Sequence, residues 1–162
     1  MTSASSQSWW VIFFTLVAAF VLTLLPLPGW AGPYHPKWVM LVLLYWSMAL
    51  PHRVGIGVAW LVGLFLDVIE EALLGQNALS LVLVVFIVTT LHQRLRLFPR
   101  WQQALLVLAL TFIHQTIGLC VRTTIGCAPV GGGYWLPVLT SALFWPWVFA
   151  VLRDVRRRYL VN

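Results

Sequence analysis

Charge is what this sequence has least of. Four of its 162 residues are acidic and ten are basic, so charged side chains make up 9% of the chain. A water-soluble domain carries about 25%, and a chain this poor in charge cannot cover a soluble surface. Cysteine is nearly missing as well. Cys120 and Cys127 do not make a disulfide framework, and seven residues apart they read as free thiols or as a bridge closing one short loop. The sequence has no glycine-rich phosphate loop ending in lysine, no H-E-x-x-H, no C-x-x-C and no G-x-S-x-G. We therefore expect no catalytic residues, no cofactor and no metal. The net charge of +6 does not point to nucleic acid, because the basic residues lie in short segments between apolar runs rather than on one continuous face.

What the chain does have is hydrophobicity, at 61% of residues, and ten tryptophans. This is the composition of an all-α integral membrane protein, one transmembrane domain over 1–162. Residues 1–8 lack the basic region of a secretory signal, so the run that follows reads as a retained span. Apolar stretches and Pro/Gly breaks predict six transmembrane helices in one bundle, at 9–27, 37–50, 54–69, 78–91, 102–121 and 135–152, with a basic tail at 153–162. Trp9, Trp10 and Trp30 fall where an aromatic belt would sit. The second stretch is short for a crossing and would also suit a re-entrant or tilted segment; we prefer two crossings joined by the tight turn at 50–53, since a compact fold can thin the membrane locally or tuck a short helix behind its neighbours. Pro146, inside the sixth, is expected to kink it near Ala142. The loop at 128–134, with three consecutive glycines, reads as mobile.

Six spans can be tested against charge. With both termini cytoplasmic, the inner segments hold Arg53, Arg94, Arg96, Arg100, Arg153, Arg156, Arg157 and Arg158, and the outer ones only Lys37 and Arg122. Glu70 and Glu71 also fall outside. The bias favours this orientation, whereas five spans would put an arginine cluster on the wrong side.

The stretch 55–75 organises the rest. Gly55, Ala59, Gly63 and Asp67 lie four apart, on one stripe of a helix that ends near Gly75. Small residues on such a stripe let a neighbouring helix approach closely. Asp67 reads as a polar anchor that hydrogen-bonds a neighbouring helix or a partner subunit, or more blandly as an interfacial carboxylate marking the helix end. Thr111, His114 and Gln115 form a polar cluster expected to face the bundle interior; one histidine without a second ligand does not argue for metal. Pro51, His52 and Arg53 make a tight cytoplasmic turn. The run Arg153, Arg156, Arg157 and Arg158 reads as a positive-inside anchor, with docking to a cytoplasmic partner or anionic lipid as the alternative.

At 36–54 the string PKWVMLVLLYWSMALPHRV resembles the bacterial rod shape-determining membrane protein family MreD. The likeness continues through G-x-x-x-D at Gly63 and Asp67 with Leu74 and Gly75, WQQALL at 101–106 and LFWPWVF at 143–149. It implies a non-enzymatic adaptor of the cell-elongation machinery in the bacterial inner membrane. Its partners would be MreC directly, with MreB filaments, the RodA glycosyltransferase and a penicillin-binding transpeptidase in the same complex. It also implies a fold like the six-helix substrate-binding subunit of energy-coupling vitamin transporters. In this reading the stripe Gly55/Ala59/Gly63 makes close helix contacts, Asp67 fixes register at the outer face, and the inner turns and basic tail face the filaments. The rival is a small-molecule-binding subunit of a membrane transporter, its cavity lined by His114, Gln115 and Asp67.

Overall fold

A computed structural model describes residues 3–95, 97–127 and 131–159. Arg96, residues 128–130 and residues 160–162, which belong to the expected basic loop, glycine-rich loop and basic tail, lie outside the described residues. The described chain is all-helical: α1 (Ser3–Leu24), α2 (Trp38–Ala49), α3 (Ile56–Ile69), α4 (Gln76–Leu95), α5 (Arg100–Thr124) and α6 (Leu136–Arg158). Short 3-10 turns at Gly32–Tyr34 and Gly132–Trp135 precede α2 and α6. Each of the six apolar stretches contains one helix.

The helix ends follow local chemistry. α1 stops at Leu24, three residues before the expected end, because Pro26 disfavours the helical conformation at the residue before it. α2 closes at Ala49, ahead of Pro51. α6 starts with Pro137 in its first turn, where a missing N–H costs nothing. It then runs on through Pro146 to Arg158, so the expected basic tail is mostly the last turns of a helix. Arg156, Arg157 and Arg158 there sit against the partial negative charge of the helix C-terminus.

α4, α5 and the segment Gly132–Arg158 are each long and apolar enough to cross a membrane, while Trp9–Leu24 and Ile56–Ile69 are shorter apolar helices. α2 is different again. Its twelve residues rise only about 18 Å, against the roughly 30 Å of a hydrocarbon core. Every residue from Val39 to Ala49 is buried, as expected of a helix that is apolar all round. It packs against α1, α4 and α6. Trp46, fully buried, donates from Nε1 to Thr15 Oγ1 on α1 at 2.9 Å. Tyr45 meets Phe149 of α6 edge-on at 5.4 Å, and Trp38 meets Phe144 at the same distance. The Lys37 N–H donates to Ser141 Oγ of α6 at 3.0 Å. α2 is the post against which α1, α4 and α6 stand.

The closest helix pair is α3 with α4. A Cβ at Gly63 would lie 2.3 Å from Ala78 Cα and 2.7 Å from Ala78 N, so backbone meets backbone and no side chain fits between. Ala59, one turn earlier, is also sealed. Gly55 and Gly75 do a different job from Gly63. Gly55 is the residue preceding α3, with only Pro51 O near a Cβ, at 3.7 Å. Gly75 has no neighbour within 4 Å of a Cβ but sits at φ +100°, a left-handed conformation that side chains resist.

Replacing Gly63 with Leu is expected to separate α3 from α4 and destabilise the protein by about 3 kcal/mol or more, since the clash is with backbone rather than a movable side chain. Gly57→Ala, at a position open for 4 Å around, is expected to leave stability within about 0.5 kcal/mol. Thermal unfolding of the purified variants checks both.

Candidate functional site

The α3–α4 corner is built on Asp67, which is completely buried. Its Oδ2 accepts the Gly75 N–H at 2.8 Å and lies 3.5 Å from the Ala78 N, and its Oδ1 accepts the Asn77 N–H at 2.7 Å. The carboxylate thus caps the first turn of α4, whose leading N–H groups have no intrahelical acceptor. Asp67 stands near the C-terminus of α3, where its own helix repels it, and at the N-terminus of α4, which attracts it. The polar anchor expected from sequence is bonded inside the hairpin: its oxygens are taken up by the next helix of the same chain.

Beyond this cap the loops converge on a polar end. Lys37 Nζ lies 3.1 Å from Glu70 Oε1 and donates to it, joining the start of α2 to the end of α3. The Asn77 side chain donates to Glu70 Oε2 at 3.1 Å. Burial pushes the Glu70 carboxyl up, but the Lys37 ammonium, its hydrogen bond and the Asn77 amide outweigh that and hold it below its ordinary 4.5. On the far side, the Gln115 amide donates to Tyr134 O at 2.7 Å while the Tyr134 hydroxyl donates to Gln115 O at 2.8 Å. This reciprocal pair fastens the turn before α6 to α5, with Phe112 stacked on Trp135 at 4.8 Å.

These loops enclose a cavity of about 470 Å³. His114 and Gln115 line it, as the sequence led us to expect for an interior site. Asp67 does not: it is consumed by the α4 cap. Thr111 also stands apart, bonding back to Val107 O of its own helix at 2.7 Å, the usual refuge of a buried threonine. Thr23, His35, Lys37, Glu70, Gln76, Asn77, Arg122 and Tyr134 complete the polar lining, and sequence reasoning missed them as a group. One signal was available, since Lys37 and Glu70 are opposite charges at span ends expected on the same face. Among the described residues no group of three or more His, Cys, Asp or Glu could hold a metal ion. Cys120 and Cys127 are free and exposed.

The other end of the bundle carries the remaining expected residues. Pro51, His52 and Arg53 form the α2–α3 turn, closed by the Arg53 and Val54 N–H groups on Leu50 O, both at 3.0 Å. Arg153, Arg157 and Arg158 are exposed, while Arg156 lies partly buried as an electrostatic partner of the Tyr45 hydroxyl. A further buried amide, Gln103, donates from Nε2 to Leu95 O at 3.2 Å and Phe98 O at 3.3 Å, tying down the α4–α5 turn.

Removing the Asp67 carboxylate strands buried N–H groups. Asp67→Asn is expected to cost about 1–2 kcal/mol, and Asp67→Ala up to about 3 kcal/mol, read by thermal unfolding. The Glu70 pair predicts a pH dependence. A carboxyl held low when folded adds stability that is present above its ordinary 4.5 and lost as pH falls through the depressed folded value. The melting temperature should therefore drop on acidification below about pH 4.5, and Glu70→Gln should flatten that slope.

Two comparisons with known proteins bear on this arrangement. The family model described as rod shape-determining protein MreD matches residues 4–155. The chain is 37% identical over 150 residues to the rod shape-determining protein MreD of Haemophilus influenzae, covering 93% of each sequence. No solved structure matches it significantly.

Proposed function

Because the chain belongs to the MreD family of rod shape-determining proteins, we propose that it serves cell shape as a six-span adaptor in the bacterial inner membrane, with both termini in the cytoplasm. The family is one of shape-determining membrane proteins and is not known as an enzyme family. In our reading the chain binds MreC directly and gathers MreB filaments, RodA and a penicillin-binding transpeptidase into one complex.

The observation that carries this reading is the extent of the match: the family model takes in all six helices, from residue 4 to residue 155. The distribution of charge supports the orientation. The segments at 51–53 and 94–100 and the end of α6 hold eight of the ten basic residues, against Lys37 and Arg122 on the opposite side. In this arrangement α2 is the short crossing, shielded from lipid by α1, α4 and α6. The adaptor uses the basic face toward the cytoplasm, and its exposed apolar flanks toward lipid and the membrane segments of its partners.

Affinity purification from gently solubilised membranes tests the assembly. MreC and the wall synthases should come down with the tagged protein, and recovery of the protein without MreC would overturn the adaptor reading. A fluorescent-protein fusion after Asn162 should be bright, as folding of the reporter in the cytoplasm requires. A dark fusion made at normal levels would overturn the orientation.

A further inference from the structure

The cavity at the polar end is more than a gap between loops. At about 470 Å³ it falls within the range of small-ligand sites, about 300–1,000 Å³. Its lining is built: Gln76 and His114 are 6% and 3% exposed and reach it from two different helices. The His114 Nδ1 has no hydrogen-bond partner among the described residues, which is unusual for a buried ring nitrogen. The Lys37 charge is already matched by Glu70. Arg122, half-buried in the last full turn of α5, is the lining cation left without a counter-charge among the described residues. Thr23 and Leu24, at the end of α1, form part of the same wall, so apolar surface adjoins the polar floor.

From this arrangement we propose that the cavity is a binding site for a phosphate-bearing molecule, with Arg122 as charge partner of the phosphate and His114 and Gln76 as hydrogen-bond partners of its polar body. The guanidinium fork matches an oxyanion with two parallel N–H donors, and this pairing is about twice as strong as a neutral hydrogen bond. The same chemistry is offered by a lipid head group entering past the end of α1 and by a free organic phosphate. Gly118 keeps the site open. A Cβ there would lie 3.1 Å from Tyr134 Oη and 3.2 Å from Gln76 Nε2, so a larger side chain fills the cavity and crowds its polar floor.

The test uses the full-length protein in lipid nanodiscs, wild type beside Arg122→Gln and Gly118→Leu. One set holds phosphatidylcholine with phosphatidylglycerol, read by native mass spectrometry for retained lipid. The other holds phosphatidylcholine alone, titrated with glycerol 3-phosphate and, as a neutral control, glycerol, and read by thermal unfolding. One phosphatidylglycerol retained per protein, and bound roughly tenfold more weakly by both variants, identifies a lipid head group. A rise in melting temperature with glycerol 3-phosphate but not glycerol, lost in both variants, identifies a free phosphate. No retained lipid and no shift in the wild type overturns the proposal. So does equal binding by wild type and Arg122→Gln, or an equal response to glycerol. If Gly118→Leu does not fold by circular dichroism, Arg122→Gln decides alone, since its side chain has no hydrogen bond or ion pair among the described residues to lose.

Discussion

The arrangement hangs on one buried carboxylate. Asp67 has no exposed surface, and an ionised group in that position is tolerable only when its lone pairs are taken up. The N–H groups of Gly75 and Asn77 take them up. Those donors exist because a helix begins there, and the helix can begin so close because Gly63 lets Ala78 come against the α3 backbone. Gly63, Asp67 and Gly75 are therefore parts of a single device: a close approach, a cap and a left-handed turn. With α3 and α4 locked, α4 lies along α2, and Gln76, Asn77 and Glu70 are carried to the rim of the polar cavity.

This division gives the bundle two unlike ends. One gathers amides, an ion pair, two histidines and an arginine that has no counter-charge among the described residues around a cavity. The other carries arginines on short turns and on the extended C-terminus of α6. Between them stands α2, a helix too short to span hydrocarbon unaided and buried on every side. For a shape-determining membrane protein the arrangement separates tasks: a rigid centre that holds the helices in register, and two chemically distinct faces free to meet different surroundings. The flanks of α1 and α6 are apolar and open, with Trp10, Phe14, Leu143 and Trp147 exposed.

Much of this was legible in the chain. Scarcity of charge and long apolar runs demanded a membrane protein, because no other solvent tolerates such a surface. Pro26, Pro51 and Pro137 marked helix boundaries through their fixed geometry. The four-residue spacing of Ala59, Gly63 and Asp67 marked one helix face, since that periodicity is intrinsic to the helix. The basic end of α6 was read as a tail because arginines break an apolar run, although they do not break a helix.

Partners, by contrast, lay beyond the reach of spacing. Which of the small residues meets backbone depends on where α4 comes to rest, so Gly63 and Gly55 look equivalent in the sequence and differ in the bundle. Asp67 could have turned toward the cavity, as the rival reading had it; the position of the α4 N-terminus, only a few residues on, decided otherwise. Lys37, Glu70 and Arg122 are far apart in the chain and meet around one cavity only after the helices pack. The sequence by itself determined class and helix count, because each follows from local composition and period. Tertiary structure decided which polar groups are matched and which are left over, because matching is a property of distance in space.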